Sequence, residues 1–319
     1  MKNSILLLSV ILLFSLSVFS QDDFGKQINQ GVTYLKAKEY KKANELFKEL
    51  AVKTPETAEV HYNLGVSEFR LGNYENAVNA LEQAVKLKPD YPQANLYMGF
   101  SLENSERFSA AVQTFDKVIA VLPENFDAWL EKGVCQFMLK DSQSAITSIQ
   151  KAIKIEPTSA YGHRKLGDVY FQLALYPEAA ISYKTSDKLE PNVYYVNFRI
   201  ATAYFNDKRF ADAIPYYKKA AEIEPLNQNA HLMLANSQLA ANAYAQAAVS
   251  FGKVIEINPE NAEAIFGLGS AYLKQNDKES SIKQLEILRK VSFVLYSRLN
   301  EMINSPQPKP KKVKSKIKA

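Results

Sequence analysis

The chain has 319 residues, 47% hydrophobic and 23% charged, which suffices for a sizeable folded core and excludes an intrinsically disordered polymer. Its single cysteine, Cys135, excludes an intrachain disulfide, and no cysteine follows the N-terminal apolar segment to carry a lipid anchor. The formal net charge is +5, yet Lys309, Lys311, Lys312, Lys314, Lys316 and Lys318 fall in the last eleven residues; taking these and Lys2 away leaves about −2, so the basic balance belongs to the ends of the chain rather than to its body.

Residues 1–20 combine a basic start at Lys2, an apolar run from Ile5 to Phe19 and Ser20 at its exit. These are the three parts of a secretory signal peptide, and they predict cleavage near Ser20 and an extracytoplasmic location, periplasmic or secreted. The run is about fifteen residues, short of the roughly twenty needed to cross a bilayer as a helix. The alternative is an uncleaved N-terminal membrane anchor.

From Phe24 onward a single period governs the chain. Pro55, Pro89, Pro123, Pro157, Pro191, Pro225 and Pro259 are each 34 residues apart, without insertion or deletion. With each proline numbered as position 32, eight repeats begin at Phe24, Ala58, Pro92, Phe126, Ala160, Tyr194, Gln228 and Ala262. Position 8 is then always small (Gly31, Gly65, Gly99, Gly133, Gly167, Ala201, Ala235, Gly269), as is position 20, from Ala43 to Ser281. Position 24 is always large and apolar: Phe47, Leu81, Phe115, Ile149, Tyr183, Tyr217, Phe251 and Leu285. Small residues facing bulky ones are what two closely approaching antiparallel helices require. Apolar residues at 4, 7, 8 and 11, then at 20, 24 and 27, have helical spacing, and the proline ends the second helix.

The stretch Val193–Phe205, VYYVNFRIATAYF, reads as a strand by residue propensity alone. In the 34-residue frame it is the first helix of the sixth repeat, with Ile200, Ala201 and Tyr204 in its core register. Local departures are Lys132 at an apolar position, Pro177 at the start of a second helix where proline is tolerated, and Pro215 deeper in one. The eighth repeat has Phe293 in place of its closing proline. Residues 292–304 present Leu295, Leu299, Met302 and Ile303 on one face and predict an extra helix that caps the last open core edge. Residues 305–319 turn to proline and lysine and predict a disordered basic tail.

The best-formed repeat, AEVHYNLGVSEFRLGNYENAVNALEQAVKLKPDY at residues 58–91, carries Leu-Gly, Gly-x-Tyr, Ala, Ala and Pro at fixed offsets. In these positions the chain resembles the tetratricopeptide repeat family, over residues 24 to about 291. The resemblance implies an all-α, right-handed α-solenoid of eight helix-turn-helix repeats whose first helices line a concave groove. It also implies a binding scaffold without catalytic activity, an inference by family alone.

The residues themselves offer no catalytic constellation. His61, His163 and His231 all occupy position 4, a packing position filled by Trp129 in the fourth repeat, and histidines two or three repeats apart lie about 20 Å or more from one another at ordinary interhelix spacings. Cys135 sits at position 10, where other repeats have small to medium residues, and reads as a buried inert thiol. Gly267-Leu268-Gly269 lies inside a first helix and lacks the third glycine and preceding strand of a nucleotide fingerprint. No phosphate loop, HExxH, paired-cysteine or GxSxG pattern occurs, and no cofactor or metal is expected.

In the resembled family, positions 2, 5, 9 and 12 of the first helix face the groove, a single helical stripe. Here these positions give Tyr62, Val66, Phe69, Leu96, Phe100, Leu130, Val134, Phe137, Arg164, Asp168, Phe171, Tyr195, Phe198 and Phe205 as candidate peptide-binding residues. Position 9 is apolar in the first four repeats and polar from Asp168 onward, which predicts an apolar N-terminal half and a more polar C-terminal half joined by Arg164 and Asp168. The alternative is that the apolar residues pack on one another and Arg164 and Asp168 form an i, i+4 pair. The carboxylate clamp of some family members is present only as fragments, Asn63 and Arg199 among them. The expected partner is a protein or peptide segment. The tail lysines suggest a second class of partner, an anionic lipid or cell-wall polymer. No aromatic residue lies among those lysines, so specific nucleic-acid binding is not expected.

Overall fold

In a computed structural model of the protein, residues 23–305 are described; the leader expected at residues 1–20 and the lysine-rich tail lie outside them. The described residues are all-α, with no strand among them. They fall into two compact units, the first ending at Lys165 and the second starting at Leu166, a division that lies inside one helix.

The first unit contains α1 (residues 23–36), α2 (Tyr40–Lys53), α3 (Ala58–Arg70), α4 (Tyr74–Leu87), α5 (Pro92–Asn104), α6 (Phe108–Val121), α7 (Phe126–Met138), α8 (Ser142–Ile155) and the first residues of α9 (Ala160–Gln172). The second holds the rest of α9, then α10 (Tyr176–Leu189), α11 (Tyr194–Asn206), α12 (Phe210–Ile223), α13 (Gln228–Ala240), α14 (Tyr244–Ile257), α15 (Ala262–Lys274), α16 (Lys278–Val291) and α17 (Phe293–Asn304). Odd-numbered helices from α3 to α15 have 13 residues and even-numbered ones from α2 to α16 have 14, so the sequence period is a period of hairpins. Val193–Phe205 falls in α11 and is helical, its weak strand preference overridden by packing: Ile200 and Ala201 are fully buried.

The small residue at position 8 owes its size to the large one sixteen residues later. A Cβ added at Gly167 would lie 2.7 Å from the Tyr183 ring, and one at Gly31, Gly65, Gly99 or Gly133 would lie under 3 Å from Phe47, Leu81, Phe115 or Ile149 of its own hairpin. These partners are all buried, and each contributes on the order of 1.5–3 kcal/mol of transfer free energy. The eighth repeat differs: at Gly269 the atom in the way belongs to Leu299 of α17, 2.6 Å distant, and Leu299 and Ile303 join Ile265, Leu285 and Leu288 in one core cluster.

Two further devices recur. Position 15, between the helices of each hairpin, has a positive φ in all eight repeats: Lys38, Gly72, Glu106, Lys140, Ala174, Lys208, Asn242 and Asn276, with φ between 57° and 80°. Only Gly72 is a glycine, so seven repeats hold an L-residue in the left-handed region. Position 4, in turn, holds on to the preceding repeat. His61 Nε2 donates to the carbonyl of Pro55 at 2.8 Å, His163 Nε2 to Pro157 at 3.1 Å, His231 Nε2 to Pro225 at 3.0 Å and Trp129 Nε1 to Pro123 at 2.8 Å. The histidines are thus ties between successive repeats.

Pro177 stands in the first turn of α10, whereas Pro215 is inside α12 and withholds one helical hydrogen bond. Lys132, at an apolar position, is only 16% exposed; it pairs with Asp116 at 2.6 Å and lies 5.2 Å from the Trp129 ring centre. Glu68, 2% exposed, is satisfied by Lys48 at 2.8 Å and by Asn73 at 2.7 Å, which ties α3 to α2. Burial raises its pKa, but the hydrogen bonds from Lys48, Asn44 and Asn73 outweigh burial and hold the carboxyl below its ordinary value.

Candidate functional site

The face of the first helices is rich in aromatic side chains in both units. In the first unit it is an aromatic cluster. Tyr62 on α3 lies 5.0 Å from Tyr91 and 6.0 Å from Tyr97, ring centre to ring centre; Phe69 lies 5.7 Å from Tyr97 and 6.2 Å from Phe100; Tyr97 and Phe100 are 6.0 Å apart and nearly perpendicular. These edge-to-face and tilted contacts each add about 0.5–1.5 kcal/mol beyond area burial and fix the rings in place. Tyr62, Phe69, Leu96, Tyr97 and Phe100 are partly exposed, so the cluster keeps an open side. Burial and the neighbouring phenols push the Tyr62 hydroxyl up to about 12, which keeps it a neutral hydrogen-bonding group. Arg70 caps the edge, its guanidinium 5.7 Å from the Phe69 ring centre and its Nη2 donating to Tyr97 Oη at 3.3 Å.

Two expected groove residues do not line this face. Leu130, at position 5 of α7, is 1% exposed and Val66, at position 9 of α3, is 8% exposed; close packing of the neighbouring helices covers both. Val134, Phe137 and Arg164 are partly exposed, and the Arg164 guanidinium lies 5.2 Å from the Tyr161 ring centre. Cys135 is fully buried, and its thiol is pushed well above its ordinary pKa by burial and then by the charges of Glu103 and Glu131. That excludes it as a thiolate nucleophile.

Burial holds the carboxyls of Glu103 on α5 and Glu131 on α7 above their ordinary range; the charge of Lys165 opposes this at both, and the nearby Glu103 raises Glu131 further. Glu131 is at position 6, outside the stripe predicted from positions 2, 5, 9 and 12. Among the described residues, no group of three or more His, Cys, Asp and Glu side chains is placed to hold a metal ion.

In the second unit the face is aromatic too, but it is organised around a carboxylate. Asp168 Oδ1 accepts from Tyr183 Oη at 2.7 Å and from Tyr195 Oη at 2.6 Å, joining α9 to both α10 and α11. Asp168 thus takes two tyrosine hydroxyls of its own unit as hydrogen-bond partners. Burial first, then the charge and hydrogen bond of Asp168, raise the Tyr183 phenol far above its ordinary pKa. Arg199 on α11 donates Nε to Tyr195 Oη at 3.0 Å, with its guanidinium 4.6 Å from the Phe171 ring centre and 5.2 Å from that of Tyr195. Phe198 stacks on Tyr194 at 5.6 Å and meets Tyr217 edge-on at 5.3 Å, and Phe205 meets Phe210 at 5.1 Å. Phe171, Phe198 and Phe205 are partly exposed and Tyr195 is exposed. Sequence reasoning set Arg199 aside as a fragment of an incomplete clamp. The signal that recovers it is its helical neighbourhood: position 6 of one helix lies beside position 2 of the same helix and position 12 of the preceding first helix.

Two family profiles, both described as Tetratricopeptide repeat, match the chain, one over residues 28–95 and 98–160 and the other over residues 68–125, 204–249 and 238–291. No curated protein matches it. Among solved structures, the C-terminal part of a TPR repeat-containing protein from Cytophaga hutchinsonii is 21% identical with a TM-score of 0.65, covering 76% of this chain and 99% of that one. YrrB, a TPR protein with an unusual peptide-binding site, is 17% identical with a TM-score of 0.53 over 59% of this chain and 97% of its own. MamA from Desulfovibrio magneticus RS-1 is 23% identical, with a TM-score of 0.51 over 53% of this chain and 96% of its own. At these identities the likeness is one of fold. With profile matches covering more than half of its length and hairpins in a 34-residue register, the chain belongs to the tetratricopeptide repeat family.

Proposed function

We propose that this protein is a non-catalytic scaffold that holds a segment of a partner protein against the first-helix faces of its repeats. The observation that carries the reading is the partly exposed ring cluster of Tyr62, Phe69, Tyr97 and Phe100, a contiguous apolar surface whose side chains are already fixed by one another. A peptide that docks there loses its own freedom but does not need to order the receptor. The likeness in fold to YrrB supports the same direction. The leader at residues 1–20 supports an extracytoplasmic place of action.

The test is partner capture from envelope extracts with the full chain, with Phe69→Asp, with Phe100→Asp and with an outer-face control, Gln113→Asp on α6. The expected result is a partner set retained by the control and lost by both phenylalanine variants. Capture of the same partners by all four proteins would overturn the reading.

A further inference from the structure

The first-helix face of the first unit has two chemically different parts side by side. One is the ring cluster of Tyr62, Phe69, Tyr97 and Phe100, partly exposed and fixed by its own contacts. The other is acidic and starts at Glu103, one helical turn beyond Phe100 on α5. Its continuation follows a recurring register, in which position 6 of a first helix lies against position 12 of the first helix before it: Tyr97 against Phe69 at 5.7 Å, and in the second unit Arg199 against Phe171 at 4.6 Å. Between α5 and α7 those two positions are Glu103 and Glu131, and each acts on the other's protonation. Asp127, a turn before Glu131 on α7, adds a third carboxyl, and Lys165 is the cation that acts on both members of the pair. Three carboxyls around one ammonium attract further positive charge. The ring part has a cationic rim instead, Arg70 on α3, with Nη2 on Tyr97 Oη at 3.3 Å. A ligand with an apolar end and a cationic end is therefore directed with its charges toward α7.

A segment of that order is present in this chain, outside the described residues. Residues 306–312 read Pro-Gln-Pro-Lys-Pro-Lys-Lys, and the tail they open carries six lysines and no acidic residue. Alternating prolines favour the polyproline II form, which docks on aromatic-lined surfaces because little conformational freedom is left to lose. The Tyr62 hydroxyl, kept neutral, is a donor for the carbonyls of such a segment. Pro308 and Lys311 are three residues apart, about 9 Å in that form. Packed neighbouring helices are about 8–10 Å apart. Prolines seated on the rings of α3 and α5 thus carry lysines to the carboxyls of α5 and α7. We propose that this face of the first unit is the docking site for the chain's own segment Pro306–Lys312, with its prolines on Tyr62, Phe69, Tyr97 and Phe100 and its lysines beside Glu103 and Glu131. This names an occupant for the peptide-binding face above and rests on that reading; a partner segment binds there by displacing the tail.

The experiment uses the full chain made with fluorotyrosine and carrying a nitroxide spin label on Ser315→Cys; Cys135 is fully buried and stays unlabelled. Fluorine resonances of Tyr62, Tyr97 and, as a control, Tyr40 at the start of α2 are assigned by Tyr→Phe substitution. The expected result is loss of the Tyr62 and Tyr97 signals, with Tyr40 unchanged, and their return when the nitroxide is reduced. Lys309→Glu, Lys311→Glu and Lys312→Glu together, in a segment outside the helical repeats, abolish the loss. Pro306→Gly, Pro308→Gly and Pro310→Gly together weaken docking by about tenfold, because the free segment then has more freedom to lose. A mixture of fluorinated, unlabelled protein with spin-labelled, unfluorinated protein identifies the donor of the tail: signal loss there assigns it to a second copy, and loss only in the doubly labelled protein assigns it to the same chain, either of which upholds the docking. Undiminished Tyr62 and Tyr97 signals in both samples, or a loss no greater than that at Tyr40, would overturn it while leaving partner capture by the same face intact. An equal loss in the lysine-to-glutamate variant would overturn it too.

Discussion

The helix-interior glycines provide a matched test of how the hairpins are held together. Gly133 in α7 and Gly252 in α14 are both helical, and replacing either by alanine gains roughly 1 kcal/mol of helix propensity. At Gly252 a new Cβ meets nothing within 4 Å, so the gain is kept, about 0.5–1 kcal/mol. At Gly133 the Cβ lies 2.6 Å from Ile149 Cγ1, 3.1 Å from the Ala145 carbonyl oxygen and 3.2 Å from the Ile149 backbone nitrogen, so α8 itself must move. Overpacking costs about 1–3 kcal/mol, and with backbone atoms in the way the cost lies in the upper part of that range, about 2–3 kcal/mol, which outweighs the propensity term and leaves Gly133→Ala destabilised by about 1–2 kcal/mol. Urea unfolding followed by circular dichroism should move the midpoint in opposite directions for the two variants. Ile149→Ala alone should cost about 2–5 kcal/mol, and its combination with Gly133→Ala should cost less than the sum by more than about 1 kcal/mol, because the added methyl enters the vacated space. A neutral or stabilising Gly133→Ala, or strict additivity in the double variant, would refute close hairpin contact as the reason for a small position 8.

At the left-handed turn position, Ala174→Gly relieves strain at φ 57° and should stabilise by about 0.5 kcal/mol, while Gly72→Ala at φ 80° should destabilise by about 1 kcal/mol, both read from thermal midpoints. The two groups of carboxyls have opposite pH signatures. Glu68, held below its ordinary pKa, contributes stability that is present above its unfolded value and lost as pH falls through its folded one. Glu103 and Glu131, held above theirs, bind protons more tightly in the native state, so stability is greatest in the acid range and declines as pH rises toward and past neutrality. Glu131→Gln should therefore flatten the decline, with a gain of about 1–3 kcal/mol above neutral pH, and a decline of the same slope in the variant would show that another group causes it.

Most of the fold was legible because one physical demand, a small residue against a large one, repeats on a fixed 34-residue spacing and marks itself eight times. What the period could not show is what depends on backbone geometry or on a neighbouring helix. The left-handed turn was hidden because position 15 is a glycine only at Gly72. The histidine and tryptophan ties were hidden because their acceptor is a proline carbonyl, and a carbonyl has no letter in the sequence. The binding stripe was drawn one residue too narrow: it counted Leu130 and Val66, which the packing buries, and passed over Tyr97 and Arg199, which position 6 brings onto the surface. Position along a helix gives direction only to within a neighbour, and the adjacent helix decides the rest.

The Gly269–Leu299 contact gives the last repeat a different standing from the others. Repeats whose glycine is filled by their own second helix are self-contained cassettes, and a splice that adds or removes 34 residues among them leaves every such contact paired with the partner it had. The eighth repeat lends its glycine to α17 instead, so repeat and terminal helix form one cassette of their own. Any lengthened or shortened version of this protein would have to carry residues 262–304 as a block, and its end would be set by that block whatever the number of repeats before it.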